Sequence, residues 1–205
     1  MADSGELDAL VVRNIGDIAA AMKHAIEKLG PRLWDELGKA LLAATDFSSW
    51  YASSDVEEQE IWTAHRSWLI PDADPANADF WLGLDERTAF GNDGEDSWIA
   101  SFTGSGPNRA TAALWIDQTI LGKVAWKRLV KSNLDLVDEL RTAGFGLDED
   151  DDRRLFLPIT IDREKLALAF ENGDFDTAMI PIVEARRRIV EAFPVLDKLR
   201  NLTRM

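Results

Sequence analysis

Five of the chain's eight tryptophans, Trp62, Trp68, Trp81, Trp98 and Trp115, fall within residues 60–118, in four short runs that alternate with period two. Alternation sends successive side chains to opposite faces of a strand, and indole and aliphatic groups suit a pleated, half-buried surface. In residues 61–70, Trp62, Ala64, Arg66, Trp68 and Ile70 share the greasier side, against Ile61, Thr63, His65, Ser67 and Leu69. Phe80, Leu82 and Leu84 alternate with Trp81, Gly83, Asp85 and Arg87, so a small residue and a charge pair stand opposite the aliphatics. Trp98, Ala100 and Phe102 alternate with Ser97, Ile99 and Ser101, and Ala110, Ala112, Leu114 and Ile116 with Thr111, Ala113, Trp115 and Asp117.

The connections carry turn chemistry: Pro71, Asp72 and Pro75 in the first, Gly91, Asn92 and Gly94 in the second, Gly104, Gly106 and Pro107 in the third. Loops this short join antiparallel neighbours, because a parallel crossover needs a dozen or more residues. The sequence therefore predicts an α+β fold: a four-stranded antiparallel meander over about 60–118, packed by helices from both ends of the chain. A chain of 205 residues, 46% hydrophobic, is sized for one substantial core, and a single domain is expected.

The flanks read mostly as helix. Leu7, Val11, Ile15, Ile18, Met22, Ala25 and Leu29 recur at spacings of three and four, and Gly30 followed by Pro31 is a stop and restart signal. That narrow, heptad-like stripe suits packing on its own domain or a homodimer through residues 7–29. A second helix runs from Pro31 to about residue 44 on Trp34, Leu37 and Leu41, and the polar residues 45–59, around Trp50 and Tyr51, read as a loop or short helix. Residues 120–143 read as the longest helix of the second half, with Lys123, Lys127 and Lys131 four apart and Arg128 beside them. Leu155, Leu157, Ile159 and Ile161 mark a fifth strand, placed at an edge by Pro158, which lacks a donor. Asp162 is suited to cap a helix ending near Gly173, and the last helical region carries Pro181 and Pro194.

Charge and motif content narrow the function. The net charge is −14, and only residues 119–145 are locally basic, so direct nucleic-acid binding is disfavoured: affinity for a phosphate backbone comes largely from Lys and Arg. The absence of cysteine removes thiolate chemistry and fits a reducing compartment, and the cytoplasm is expected. The opening residues lack the basic then apolar order of a signal peptide, and no apolar run approaches the roughly 18 residues of a membrane span. Gly38-Lys39 and Gly122-Lys123 lack the upstream glycine of a phosphate loop, and GxGxxG, GxSxG and HExxH are missing. With only His24 and His65, a histidine-rich metal site is excluded. Asp148, Asp150 and Asp152 start like a calcium loop, but Arg153 stands where the turn glycine belongs and Ile159 where the bidentate glutamate belongs. Pro71-Asp72 resembles the first half of a metal-nuclease pattern, yet none of the eight lysines has an acid two positions earlier.

No metal or cofactor is expected from these patterns. The ligand-binding candidates are Arg66, Trp81, Asp85, Arg87 and His65, the strand charges and rings that a plain core explains least. Lys123, Lys127, Arg128 and Lys131 are the candidates for an anion or an acidic partner segment. The reading that needs no motif is a non-catalytic binding or regulatory protein, holding a protein partner or small molecule in a cleft between sheet and helices. Two others compete: an acidic inhibitor mimicking nucleic-acid charge, and a divalent-metal hydrolase with carboxylates such as Asp85, Glu86 and Asp117.

Overall fold

The computed structural model describes residues 4–43, 49–58, 60–73, 76–87, 98–104, 111–148 and 153–205. Within them the protein is α+β, with a six-stranded antiparallel sheet in the order β1-β2-β3-β4-β6-β5 and helices from both ends of the chain. The strands are β1 (Trp50–Asp55), β2 (Glu60–His65), β3 (Phe80–Arg87), β4 (Thr111–Gln118), β5 (Gly146–Leu147) and β6 (Leu155–Ile159). The first four form the expected meander, and β3 pairs with β4 along its whole length, from Phe80 opposite Gln118 to Arg87 opposite Thr111.

The membership of that meander differs from the sequence expectation. Its first strand is β1, in the segment read as loop or short helix. The run at 97–102 is instead a helix, α4 (Trp98–Phe102), whose Phe102 packs edge-on against Trp34. A six-residue run carries too few periods to separate the two readings, and burial of Phe102 decides it. The expected turn at 91–94, the loop at 105–108 and the acidic residues 149–152 lie outside the described residues. The strand expected over 61–70 stops at His65, where Arg66–Trp68 form a 3₁₀ turn. That turn breaks the alternation, so Ile61 and Thr63 are buried, Trp62 faces the opposite side, and Trp68 is buried with no exposed surface. Finally, β6 lies one strand in from the edge, but β5 covers only Leu155 and Phe156, so Pro158 lies beyond the reach of that neighbour.

The helices are α1 (Ser4–Arg13), α2 (Ile15–His24), α3 (Gly30–Leu42), α4, α5 (Lys123–Ser132), α6 (Leu134–Thr142), α7 (Arg163–Asn172) and α8 (Ile180–Thr203). The single helix expected at 120–143 is two, broken at Asn133, and α8 at 24 residues is the longest, running through Pro194. Gly30 and Pro31 do not end the first helix either. Pro31 has no N–H, and the ladder ahead of it loosens into a π turn (Ala25–Leu29) in which the Gly30 N–H reaches the Ala25 carbonyl. At Asn14 the side-chain amide donates to the Leu10 carbonyl at 2.8 Å, bridging α1 to α2. Helical structure thus continues from residue 4 to 42 with no loop. As expected, Asp162 caps α7 by accepting from the Lys165 N–H at 2.9 Å, and Gly173 ends it in the left-handed region. No described helix is long and apolar enough to cross a membrane.

One face of the sheet carries the core. Leu82, Leu84, Leu114, Ile116, Leu155, Leu157 and Ile159 from the strands join Leu33, Leu37 and Leu41 of α3, Val137 and Leu140 of α6, and Ile182, Ile189 and Leu196 of α8. The closest approach is between α3 and β1, where a Cβ on Gly38 would stand 2.3 Å from Ser54 Oγ. Gly38 and Ser54 are small because helix and strand touch there almost backbone to backbone. At the end of α8, Arg200 and Arg204 converge on Asp79 just before β3, which is buried and accepts from Arg200 Nε (2.9 Å) and Nη2 (3.1 Å) and from Arg204. Trp68 Nε1 adds a hydrogen bond to Asp197 at 2.9 Å.

Two stability predictions come from these contacts. Gly38→Val forces α3 off β1 and lowers unfolding free energy by about 1–3 kcal/mol in denaturant titration, the usual cost of overpacking. Burial alone would raise the Asp79 carboxyl, but the Arg200 and Arg204 hydrogen bonds outweigh it and hold it below the ordinary value. A depressed acid stabilises the fold above its unfolded pKa and loses that contribution as pH falls through the folded value. Asp79→Asn therefore costs about 3 kcal/mol or more at neutral pH, since it strands Arg200, and the gap from wild type narrows as pH drops below about 4.

Candidate functional site

The second face of the sheet is built differently. Reading across strands by register, Ser53, Trp62, Gly83, Trp115 and Phe156 form one row. Tyr51 stands opposite Ala64, and Trp81 opposite Asp117, in the row on one side. Asp55 stands opposite Glu60, and Asp85 opposite Ala113, in the row on the other. Small Ser53 and Gly83 flank Trp62, whereas Trp115 and Phe156 lie side by side, centroids 5.0 Å apart, in a buried cluster with Ala113. At Gly83, a Cβ would stand 3.5 Å from Trp81 Nε1 and 3.9 Å from Asp117 Oδ2, which places both groups over the glycine.

Two depressions open here. The first, about 340 Å³, lies over β1 to β3 and is walled by Tyr51, Trp62 and Trp81, with Ser53, Asn77, Asp55 and Glu60 around them. All three rings are half-buried, and Tyr51 and Trp62 pack together with centroids 5.2 Å apart. The second, about 400 Å³, lies where the end of β4 meets the start of α5 and is lined by Asp117, Gln118, Leu121, Lys123, Trp126 and Arg154. This is a junction of sheet and helix.

Electrostatics at the second depression centre on Asp117 and Arg154. One terminal nitrogen of Arg154 donates to both Asp117 oxygens at 2.8 Å, and the guanidinium sits 4.6 Å over the Trp115 ring. The neighbouring Arg153 reaches that geometry with φ +53°, a region that non-glycine residues rarely occupy. Its conformation is held from both sides: Trp126 Nε1 donates to the Arg153 carbonyl (3.3 Å), and the Asp148 N–H to the Arg154 carbonyl (2.9 Å). Burial pushes the Asp117 carboxyl above its ordinary value, Arg154 pulls against it, and Asp85 adds to the rise. The buried Nε1 of Trp115 and Nε of Arg154 have no hydrogen-bond partner among the described residues.

The residues nominated by sequence do not converge on one point. Trp81 and Asp85 both lie on this second face. Arg87 ends β3, and its side chain lies outside the described part. Arg66 is exposed in the 3₁₀ turn beyond β2, at the opposite end of the strands, so about 25 Å of strand length separates it from Arg87. His65 belongs to the core side, stacked on Phe193 (4.1 Å) and edge-on to Trp50 (5.5 Å), with Nδ1 taken by Ser67. Burial holds its imidazole below the ordinary value, against the pull of Asp197 and with help from Arg200. Lys123 lines the second depression, while Lys127, Arg128 and Lys131 continue along α5. Among the described residues no three of His, Asp and Glu stand together as a metal could require.

Tyr51, Trp62 and Arg154 are absent from the sequence candidates, and Asp117 is named there only as a carboxylate for a metal. Asp117 shares strand parity with Trp115, and that signal was available; Arg154 lies outside a strand, where alternation is silent. The chain matches no protein-family model, no curated protein and no solved structure. Arg154→Met removes the one cation that opposes the rise at Asp117, so its titration midpoint moves upward in a carboxyl ¹³C NMR series; an unmoved midpoint would mean the pair is broken in solution.

Proposed function

We propose that the protein is a non-catalytic binding protein that holds a small ligand or a segment of a partner on the second face of its sheet, between the Tyr51–Trp62–Trp81 depression and the cleft at Asp117 and Arg154. The carrying observation is the group of half-buried rings, Tyr51, Trp62 and Trp81, gathered around one depression beside Ser53 and Gly83. A ring that served only the core would be covered by the helices, whose apolar residues gather on the other face with Trp50, Trp68 and Phe80. Both depressions fall in the usual size range of ligand sites, and polar and apolar groups share each lining.

A second feature supports self-association. Along α1, α2 and the π turn, Leu7, Leu10, Val12, Ile15, Met22 and Ile26 are each more than half exposed, and no residue of α2 or the turn is buried. Residues 4–29 carry three basic and four acidic groups, so this arm of about 40 Å is nearly neutral on a chain of −14. Glu6 and Asp8 lie at its start and Lys23 and Lys28 near its end, so two copies paired antiparallel set opposite charges against each other. A membrane surface suits the arm less well, because anionic lipid headgroups favour a polar face rich in Lys and Arg.

Both parts are testable. In a fragment screen read by ¹H–¹⁵N NMR, hits shift the Trp62 and Trp81 indole signals, and Trp62→Ala and Trp81→Ala lose them while keeping the wild-type circular dichroism; hits that ignore these signals sink the reading. Light scattering gives about twice the 22.9 kDa chain mass, falling to one chain mass for Ile18→Asp with Met22→Asp.

A further inference from the structure

We propose that the depression walled by Tyr51, Trp62 and Trp81 takes a small alkylated ammonium ion. This rests on the reading of the second face as a binding surface and adds the class of its ligand.

The first observation is the pair at the rim. Asp55 and Glu60 are directly opposite each other on β1 and β2. Like charges in that position repel, because their Cβ atoms stand only about 5 Å apart. Asp55 Oδ1 accepts only from the backbone N–H groups of Glu57 and Glu58, which themselves add acid to the turn. Among the described residues no Lys or Arg pairs with either carboxylate. A bound cation would turn this repulsion into attraction, which a neutral sugar or a fatty ligand would not do.

The second observation is the wall. Tyr51 is on β1 and Trp81 on β3, with β2 between them, so their Cα positions are about 10 Å apart by strand spacing. Both rings line the same depression, and a ring face attracts positive charge within about 6 Å of its centroid. Trp62 on the intervening strand supplies a third ring. Hard metal ions make no use of such a wall, since they keep their water and bind through oxygen ligands alone. Alkyl groups on nitrogen, by contrast, shed water easily and spread the charge over methyls that pack on indole. The net charge of −14 also draws small cations toward the surface and turns anions away.

The test compares choline with its neutral isostere 3,3-dimethylbutan-1-ol, by tryptophan fluorescence and calorimetry at fixed ionic strength. Choline is expected to bind saturably and about tenfold more tightly than the alcohol. Trp62→Leu, and Asp55→Asn with Glu60→Gln, are each expected to weaken choline about tenfold while circular dichroism stays unchanged. Equal binding of choline and alcohol overturns the ammonium class and leaves the binding surface standing, as does silence from choline where neutral fragments still shift the Trp62 and Trp81 indoles. Choline binding untouched by either variant places it elsewhere and overturns the site. If neither choline nor any fragment perturbs those indoles, both the class and the surface reading fall.

Discussion

The full-length pairing of β3 with β4 is the constraint from which the remaining structure follows. Eight residues on each strand keep register without a bulge, so parity is preserved from one end to the other. Phe80, Leu82 and Leu84 then have no choice but to share a face with Leu114 and Ile116, and Trp81, Gly83 and Asp85 to share the other with Trp115 and Asp117. A one-residue slip of β3 would turn Asp85 into the core and Phe80, Leu82 and Leu84 onto the aromatic face. An unpaired buried charge and three exposed core side chains are a large fraction of the stability of an ordinary domain.

Given that sheet, the helices have only one apolar surface to cover. Their attachment relies on two unlike devices. At the β1 side, α3 comes in over Gly38 and Ser54, where absence of side-chain bulk is the requirement. At the end of α8, attachment is polar: Arg200 and Arg204 converge on Asp79, and Asp197 holds the Trp68 indole. The buried ion pair contributes specificity of placement more than net stability, because desolvating both charges offsets much of their attraction. It fixes which turn of α8 lies against the start of β3.

Legibility in the sequence tracks the length of unbroken alternation. Phe80 to Arg87 and Thr111 to Gln118 each hold period two for eight residues, and their strands and both faces were readable. In residues 61–70, Trp62 and Trp68 have the same parity, so a single strand would put them together; the 3₁₀ turn at Arg66–Trp68 rotates the chain, and they end on opposite sides. The alternation does not announce that turn, which His65 caps by accepting from the Ser67 N–H and the distant Asp197 anchors through the Trp68 indole. Trp50–Asp55 failed for a different reason. Its alternation is present, but the inward positions are Ala52 and Ser54, kept small for α3, and a strand with small residues inward does not look hydrophobic. The break at Asn133 is likewise masked, since Leu129, Val130, Leu134 and Val137 remain at helical spacing across it.

The candidate site follows the same logic, and this explains why it was half readable. Trp81 and Asp85 were found because they are the odd residues on a strand whose even residues are plainly core. Arg66, Arg87 and His65 were chosen as charges or rings that a core does not explain, but chemistry alone carries no position: the arginines fall at opposite ends of the strands, and His65 is used as a ring, stacked on Phe193. Tyr51 and Trp62 belong to the site through register with strands that alternation either missed or misfaced. Arg154 requires one step more. Its side chain crosses from outside β6 to Asp117 only because Arg153 takes a left-handed turn, held by Trp126 from α5. A residue whose placement depends on a strained neighbour and on a helix some thirty residues earlier in the chain leaves no local trace in sequence, yet once placed it pairs with the half-buried Asp117 carboxylate and covers Trp115. The cation at Asp117 is therefore supplied by the chain itself, whereas the carboxylates of Asp55 and Glu60, on the far side of the same sheet, have none. That contrast, between Asp117 paired by Arg154 and the Asp55–Glu60 pair with no Lys or Arg partner among the described residues, separates a structural ion pair from a surface left for something else to complete.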